Sequence, residues 1–329
     1  MEYGTQNGRV ASATSIPTLQ SGDTKAESNL QKANLFGEIY SQASSTSNYK
    51  DEFLNYLQNK DNKNELLSNQ YNNDTSALNV IFTIRELQDA IDASKNNKSP
   101  GEDQIPYDLI KHLHKSVRKV LLSFYNKVWT TGILPKEWNH AIIMPILKPN
   151  KDPTAPESYR PISLTSTLCK IMEKMITNRL QWFLESNKLL TPFQTGFRKH
   201  KSTIDQILRL QDYIHKKLNN KQNVLAIFID FERAYDMLHV PTLLEKLHKM
   251  GITGNIFDWI SKFLTNRTFQ VKVGIELSEK FSQENGTPQG SVISSLLFLI
   301  MINNLDPGLE NVELSLFADD SAIFMLIET

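Results

Sequence analysis

Two neighbouring aspartates near the end of the chain, set between two apolar runs, constrain its fold more than any other feature. Ser315–Phe317 leads into Ala318, Asp319 and Asp320, and Ser321–Phe324 follows them. Two β-type runs with a short polar centre predict a hairpin whose turn carries the acidic pair. Adjacent carboxylates at such a turn repel each other, so the pattern favours a raised pKa or a bound divalent cation.

A second acidic strand end lies far upstream. Val224–Ile229 is an almost unbroken apolar run that ends in Asp230 and predicts a strand at the centre of a sheet. If the two strands lie side by side, Asp230 and Asp319 can hold two Mg2+ ions about 3.5–4 Å apart, the geometry that clamps both oxygens of a phosphoryl displacement. Each aspartate alone is more often a helix cap or part of a surface turn, so the interpretation depends on both strand ends together.

The composition excludes several other kinds of protein. The chain has 329 residues with 36 basic and 36 acidic side chains, so its total charge gives no indication of a polyanionic partner. A single cysteine excludes an intrachain disulfide and a cysteine-based zinc site. No apolar run reaches the length of about 18 residues that a membrane helix needs, so we predict no membrane partner.

The composition changes near residue 80. Residues 1–80 are rich in Ser, Asn, Gln, Thr and Lys, which predicts a polar, partly disordered segment with one or two amphipathic helices. Residues 81–329 predict an α+β domain with a mixed or antiparallel sheet. Its predicted elements include helices over Tyr107–Trp129, Ser166–Glu185 and Thr203–Leu218 and strands over Ala141–Leu147 and Thr268–Ile275. Pro145 restricts the first of these strands to a sheet edge or a bulge.

Two further motifs are typical of ligand contacts, although each also has a plain structural explanation. The glycines of Gly286–Gly290 let the backbone approach a ligand closely, and Gln289 can donate and accept hydrogen bonds. The same loop can simply cap a helix. Lys148 and Arg160 can reach one polyphosphate from a hairpin, but two solvated surface cations are the commoner arrangement.

Several segments, taken in order, form a more specific pattern than any one of them. They are Lys148, Tyr159–Ile162, Phe193–Arg198, Asp230–Asp236, Gly286–Ser291 and Phe317–Asp320. Together they resemble the reverse transcriptase domain of non-LTR, LINE-type retrotransposons, of the jockey-like group. The resemblance covers the chain from about Leu87 to its carboxyl end. It implies the fingers and palm of a right-hand polymerase, with Asp230 on a central strand and the acidic pair in the adjacent hairpin.

The resemblance also implies roles for individual residues. The catalytic acids are Asp230, Asp319 and Asp320, and the ligands of two Mg2+ ions, or of Mn2+, are Asp230, Asp319 and the Phe231 carbonyl. Tyr235 lies where the family has an aromatic gate that rejects the ribose 2′-hydroxyl. The implied contacts of the incoming dNTP are Lys148, Arg160, Phe231, Arg233, Ala234, Tyr235 and Gln289.

An RNA template, a DNA primer and dNTPs are the expected partners. The basic run Arg198, Lys199, His200 and Lys201, predicted to lie on a helix with Arg209, can follow a template backbone in a salt-sensitive way. A solvated helix face explains the same run equally well. Only the resemblance suggests that Arg267 and Phe269 approach nucleic acid.

The chain ends soon after the acidic pair, whereas the family continues into further palm and a helical thumb. We therefore expect a C-terminally truncated RNA-directed DNA polymerase domain that is weakly active or inactive. Two alternatives stay open, a non-catalytic RNA- or DNA-binding remnant with the same fold and a two-metal nuclease. The nuclease is disfavoured because the Gly286–Gly290 loop and Tyr235 suit the selection of an incoming nucleotide, which a nuclease does not need. An intracellular location, in nucleus or cytoplasm, is expected.

Overall fold

The computed structural model describes residues 15–55, 75–96, 98–305 and 312–327. The helices labelled here are α1 (Asn29–Ala43), α2 (Ser76–Asn79), α3 (Ile84–Asp92), α4 (Tyr107–Lys111), α5 (Lys115–Thr131), α6 (Thr167–Ser186), α7 (Thr203–Asn219), α8 (Val240–Lys249), α9 (Asn255–Leu264) and α10 (Ser294–Ile302). The strands are β1 (Leu19–Ser21), β2 (Thr24–Ala26), β3 (His140–Leu147), β4 (Tyr159–Leu164), β5 (Asn223–Ile229), β6 (Arg267–Val273), β7 (Glu276–Leu277), β8 (Phe281–Gln283), β9 (Val312–Phe317) and β10 (Asp320–Ile327). Within the described ranges, no helix is both long and apolar enough to cross a membrane.

The largest apolar cluster surrounds α6. This helix begins at Ser166, whose hydroxyl accepts a hydrogen bond from the amide of Cys169. Its apolar residues recur at helical spacing, and Met172, Ile176 and Leu180 are completely buried against residues from α3, α5, α8, α9 and α10. Burying each such side chain is worth about 1.5–3 kcal/mol. The cluster therefore fixes the positions of these helices relative to one another.

A three-stranded antiparallel sheet has the order β5-β10-β9. The predicted hairpin around the acidic pair is confirmed, and its second strand pairs with the strand that ends before Asp230. The prediction of a central position for β5 is wrong, because β10 is central and β5 is the edge strand among the described residues. Phe228 on β5 is 74% exposed. An apolar run shows that a strand has packing surface, but it does not show which neighbours cover that surface.

A second, mixed sheet has the order β4-β3-β6, with β7 and β8 both pairing on the far side of β6. Strand β3 is antiparallel to β4 and parallel to β6. Pro145 lies opposite Pro161 of β4, whereas the described pairing with β6 ends at Ile143. Pro145 therefore occupies the part of β3 that has a neighbour on one side, as its missing amide requires.

Helix α1, which precedes the boundary predicted at residue 80, packs against the mixed sheet. Helix α1 begins with a capping box formed by Ser28 and Gln31. Leu35 and Phe36 of this helix share an apolar cluster with Ala141 and Val271 of the mixed sheet. One expected amphipathic helix is thus present, and it covers the sheet. The predicted disorder of residues 1–14 and 56–74 concerns a part of the chain outside the described residues.

The predicted helix over Tyr107–Trp129 is two helices, α4 and α5. The ring of His114 accepts a hydrogen bond from the amide of Ser116 and begins the second helix. Within α5, residues expected on one apolar stripe also fall on different faces. Val120 is 69% exposed, whereas Leu121 packs on the main core.

Candidate active site

The acidic turn between β9 and β10 lies beside the end of β5. Ser321 pairs with Ile229, and its hydroxyl donates a hydrogen bond to the Ile229 carbonyl over 3.1 Å. Asp230 directly follows Ile229, while Asp320 and Asp319 directly precede Ser321. The strand register therefore brings Asp230 to the same sheet end as Asp319 and Asp320, which lie far from it in sequence.

The segment Phe193–Gly196 holds the backbone of this turn. Ala318 has a left-handed backbone with φ of +56°, a costly conformation for a residue other than glycine. Gln194 is 2% exposed; its Oε1 accepts from the Ala318 amide at 2.9 Å and its Nε2 donates to the Ala318 carbonyl at 3.2 Å. A parallel bridge to Leu316 adds this segment to the edge of β9. The motif thus fixes the backbone immediately before Asp319.

Replacing Gln194 by alanine is expected to lower the free energy of unfolding by about 2 kcal/mol, because the buried amide and carbonyl of Ala318 lose their partners. Urea denaturation measures the change. Gln222→Ala, in an exposed turn, is the matched control and is expected to change stability by less than about 0.5 kcal/mol. Equal losses in the two variants would show that the hydrogen bonds of Gln194 to Ala318 do not stabilise the fold.

Two glycines allow close backbone approaches around the site. A Cβ atom on Gly196 would lie 2.1 Å from the Ala318 nitrogen, so only glycine fits against the acidic turn. Gly286 has φ of +82°, and a Cβ atom there would lie 2.6 Å from the Tyr235 carbonyl. The Gly286 amide donates to the Leu238 carbonyl over 2.8 Å. The glycine loop is therefore docked on the turn that follows Asp230.

An open cavity of about 640 Å³ collects most of the predicted site residues. The predicted residues that line it are Lys148, Arg160, Asp230, Phe231, Arg233, Ala234, Tyr235, Gln289 and Asp319. Asp320 is exposed on β10 and does not line the cavity. The structure thus brings together two of the three predicted acids with every predicted nucleotide contact.

The two cavity carboxylates are available to a cation. Asp230 is exposed and Asp319 half-buried, and neither has a hydrogen bond or an ion pair to another described residue. No group of three or more His, Cys, Asp or Glu side chains forms a complete metal site within the described ranges. Mg2+ is commonly bound by one or two carboxylates together with substrate phosphates. The donor set of Asp230, Asp319 and the Phe231 carbonyl therefore fits such a shared site.

Tyr235 and Gln289 are held in place by protein contacts. The ring of Tyr235 stacks on Phe298 with centroids 5.2 Å apart, and burial, reinforced by nearby Asp319, raises the pKa of Tyr235. The side-chain amide of Gln289 donates to the carboxylate of Asp236 at 3.3 Å. Burial raises the pKa of Asp236, and this hydrogen bond partly opposes the shift. Both cavity side chains thus have defined positions.

Cationic side chains line the same cavity. The ammonium of Lys148 donates to the Glu157 carbonyl over 3.0 Å. Arg160 is exposed and has no ion pair within the described part of the chain. Arg233 has a left-handed backbone, with φ of +51°. Carboxylates and cations around one cavity suit a ligand that carries both a metal ion and several phosphates.

Comparison with known proteins identifies the family. A profile described as "Reverse transcriptase (RNA-dependent DNA polymerase)" matches residues 146–328, more than half of the chain. The chain belongs to the reverse transcriptase family. The family predicted from the motifs is thereby confirmed. The mixed sheet and the hairpin sheet form a polymerase-like fingers and palm.

Relatives of this chain include enzymes of mobile elements. The "Probable RNA-directed DNA polymerase from transposon BS" of Drosophila melanogaster is 33% identical over 249 residues, which cover 73% of this chain and 27% of the relative. The "RNA-directed DNA polymerase from mobile element jockey" of the same species is 32% identical, with the same coverage. A solved apo telomerase from Candida tropicalis aligns with 17% identity and a TM-score of 0.41 over 62% of this chain and 49% of the other.

These comparisons bear out the predicted relationship to LINE-type elements, through jockey and its kin. The chain spans about a quarter of the length of the curated relatives it matches, 27% in each of these two cases.

Tyr40 was not predicted as a site residue, yet it lines the candidate catalytic cavity, the one that contains Asp230 and Asp319. Its hydroxyl is buried without a hydrogen-bond partner among the described residues. Burial, together with the nearby Asp236, raises the pKa of Tyr40. The only local sequence signal was the short apolar patch Leu35–Phe36, which indicates a packed helix but not what that helix lies against.

The basic run at residues 198–201 differs from its prediction. Residues 198–201 precede α7 and are not helical. The Arg198 guanidinium is 11% exposed and donates to both carboxylate oxygens of Glu185, at 2.8 and 2.6 Å, and to two backbone carbonyls. Arg198 therefore has a structural ion pair, and its nucleic-acid contact stays a prediction. Lys199 and Lys201 are exposed, and their nucleic-acid contact stays a prediction.

Replacing Arg198 by alanine is expected to destabilise the fold by about 2–3 kcal/mol, because it leaves the partly buried Glu185 carboxylate unpaired. That value is below the cost for a fully buried pair, since Glu185 is 36% exposed and partly screened by water. Urea denaturation measures the loss, and Lys199→Ala is the control that should leave stability unchanged. A stable Arg198→Ala variant with weakened RNA binding would contradict the structural role.

Three other residues considered as nucleic-acid contacts are also engaged in the fold. Arg267 is 1% exposed, donates to the Phe263 carbonyl over 2.8 Å and has its pKa lowered by burial to about 10. Phe269 is buried in the sheet core, and Arg209 pairs with Glu313 at 2.5 Å. The expectation for Arg267 and Phe269 is therefore wrong. The residue type of Arg267 gave no sign of burial, because arginine is rarely found inside.

Proposed function

We propose that this domain catalyses RNA-directed DNA synthesis, transferring a nucleotide from a dNTP to the 3′-hydroxyl of a DNA primer on an RNA template. The observation that carries the proposal is the single cavity lined by Asp230, Asp319, Tyr235, Gln289 and basic side chains. The same cavity contains both the carboxylates that suit a metal and the cations that suit a triphosphate. Membership of the reverse transcriptase family supports the reaction class.

In this proposal Asp230, Asp319 and the Phe231 carbonyl hold two Mg2+ ions, for which Mn2+ can substitute. When bound, such ions lower the pKa of an attacking hydroxyl and stabilise the charge on the transferred phosphoryl group. The protein contributes two carboxylates in a fixed relative position. The β5–β10 register sets the backbone next to Asp230, and the hydrogen bonds of Gln194 to Ala318 set the backbone next to Asp319. Asp320 is an acidic neighbour outside the cavity.

Several side chains bind and orient the dNTP. Lys148 and Arg160 take the phosphates farthest from the sugar, with Arg160 able to form two parallel hydrogen bonds. The backbone amides of Arg233 and Ala234 contact the triphosphate. Gln289, held by Asp236, contacts the nucleoside. The stacked ring of Tyr235 occupies the space that a ribose 2′-hydroxyl would need.

Outside the cavity, the exposed Lys199 and Lys201 follow the template backbone. Lysine contacts with phosphates release counterions, so their contribution weakens as salt is added.

Primer extension tests the proposal directly. The full 329-residue chain is incubated with poly(rA)/oligo(dT), dTTP and Mg2+, and the same gel reports both extension and degradation. We expect metal-dependent extension without degradation. Tight hybrid binding without extension would instead support a non-catalytic RNA- or DNA-binding protein. Metal-dependent degradation of either strand would support a nuclease.

A further inference from the structure

A second cavity, of about 430 Å³, lies at the other end of the mixed sheet. We call it the lysine pocket, after Lys136, Lys262 and Lys280 in its lining. It shares no lining residue with the catalytic cavity. Strand β3 runs from His140, next to Asn139 of the pocket, to Leu147, next to Lys148 of the catalytic cavity, and eight strand residues span about 26 Å. The two cavities are therefore separate sites.

The side chains that line the lysine pocket carry a net positive charge. Within the described residues, no carboxylate lines it, and none of its three lysines has an ion pair. The ammonium of Lys262 donates to the Gly132 carbonyl over 2.8 Å, which leaves two of its three donors for a ligand. Three unpaired ammonium groups around one concavity concentrate positive potential there and attract anions.

Arg267 adds a buried positive charge behind the pocket wall. It lies in sequence between Asn266 and Thr268, both of which line the pocket. Its guanidinium has no carboxylate ion pair within the described ranges, and its Nε and Nη2 have no hydrogen-bond partner there. A pKa near 10 keeps it charged at neutral pH. The buried carboxylate of Glu173 offsets part of this charge, so the three lysines are the main source of the positive potential of the pocket.

The pocket is built on fixed backbone. The side-chain amide of Asn139 donates to the carbonyls of Lys262 and Thr265, at 2.8 and 2.9 Å. These bonds join the turn that carries Lys136 to the end of α9. Lys280 directly precedes β8, which pairs with β6. The three lysines thus project from backbone positions that are set before any ligand arrives.

We propose that the lysine pocket binds phosphate groups of a nucleic-acid strand as an anchoring site separate from the catalytic cavity. Lysines supply point charges to the phosphates. The polar side chains of Asn266 and Thr268 suit the sugar–phosphate contacts that position a strand without reading its sequence. A strand offers the pocket several consecutive phosphates, which a single small anion does not.

Binding measured across salt concentrations tests the site without requiring catalysis. The probes are 30-nucleotide single strands of RNA and of DNA with the same mixed sequence. Fluorescence anisotropy measures their binding in KCl without dNTPs. Lysines 136, 262 and 280 are changed together to Gln in one variant. Loss of three phosphate contacts is expected to flatten the slope of log K against log salt by about 2, at about 0.7 per phosphate, and to weaken binding by at least about tenfold at low salt.

A matched control carries the same charge change elsewhere. Lys115, Lys119 and Lys127 are exposed on α5 and line neither cavity, so their triple change to Gln is expected to alter the slope by less than about 0.5. A flattened slope with RNA, with DNA or with both supports the pocket and identifies the strand it takes. An unchanged slope with both strands, or an equal change in the control, overturns it. Because no nucleotide is incorporated in this assay, its outcome is independent of the polymerase proposal.

Discussion

Replacing either Asp230 or Asp319 by asparagine is expected to reduce dTTP incorporation on poly(rA)/oligo(dT) by about 1,000-fold or more. Each carboxylate lines the catalytic cavity without an ion pair among the described residues, so its negative charge is available to a cation. An amide has nearly the same shape but no charge, and it binds a divalent cation weakly. Loss of metal stabilisation worth about 4 kcal/mol corresponds to this factor.

Asp320→Asn is the matched control for these two variants. It makes the same chemical change one residue from Asp319, but Asp320 is exposed on β10 and outside the cavity. We expect it to retain incorporation within about tenfold of the unmodified chain. Hybrid binding should be similar in all three variants. If Asp320→Asn lost as much activity as Asp319→Asn, the assignment of the metal site to Asp230 and Asp319 would be wrong.

Replacing Tyr235 by valine is expected to raise the use of rTTP relative to dTTP by about 100-fold. The Tyr235 ring lines the cavity and stacks on Phe298, so it cannot easily turn aside for an extra hydroxyl on the sugar. Removing the ring opens that space without adding a new contact for either nucleotide. A change of about 2.7 kcal/mol in relative transition-state binding corresponds to this factor. Single-nucleotide incorporation rates at several concentrations of each nucleotide measure it.

Tyr235→Phe separates the ring from its hydroxyl. Phenylalanine keeps the ring and the stacking on Phe298, so we expect selectivity to stay within about threefold of the unmodified chain. If phenylalanine relaxed selectivity as much as valine does, the hydroxyl and not the ring would be the selecting group. If valine left selectivity unchanged, Tyr235 would not be the gate.

The features predicted correctly from the sequence are those whose cause is local. The hairpin around Asp319 follows from two β-type runs and a short polar turn, and α3 begins at the capping box of Thr83 and Glu86 that its sequence indicates. The cavity residues also come from short ordered motifs. A glycine within a motif, such as Gly286, indicates directly that another segment of backbone lies close to it.

The features that were missed depend on partners distant in sequence. From the sequence, Arg198 is indistinguishable from an unpaired surface cation, but in the fold it lies against Glu185. The edge position of β5 depends on which strands pair with β10, and no property of β5 itself determines that. Gln194 belonged to a predicted motif, but its role appears only once Leu316 and Ala318 lie beside it. Burial and pairing between remote segments are collective properties, which periodicity within one segment does not encode.

The contribution of α1 to the catalytic cavity has a practical consequence for making shorter versions of this protein. A piece that began at residue 81 would keep every sequence motif of the family, yet it would lose Tyr40 from the cavity wall and Phe36 from the layer over the mixed sheet. Phe269 and Val271, now buried, would face water, and such exposed apolar surface promotes aggregation. Expression should therefore begin upstream of β1, because the β1–β2 hairpin and α1 pack on the mixed sheet and α1 forms part of the cavity wall.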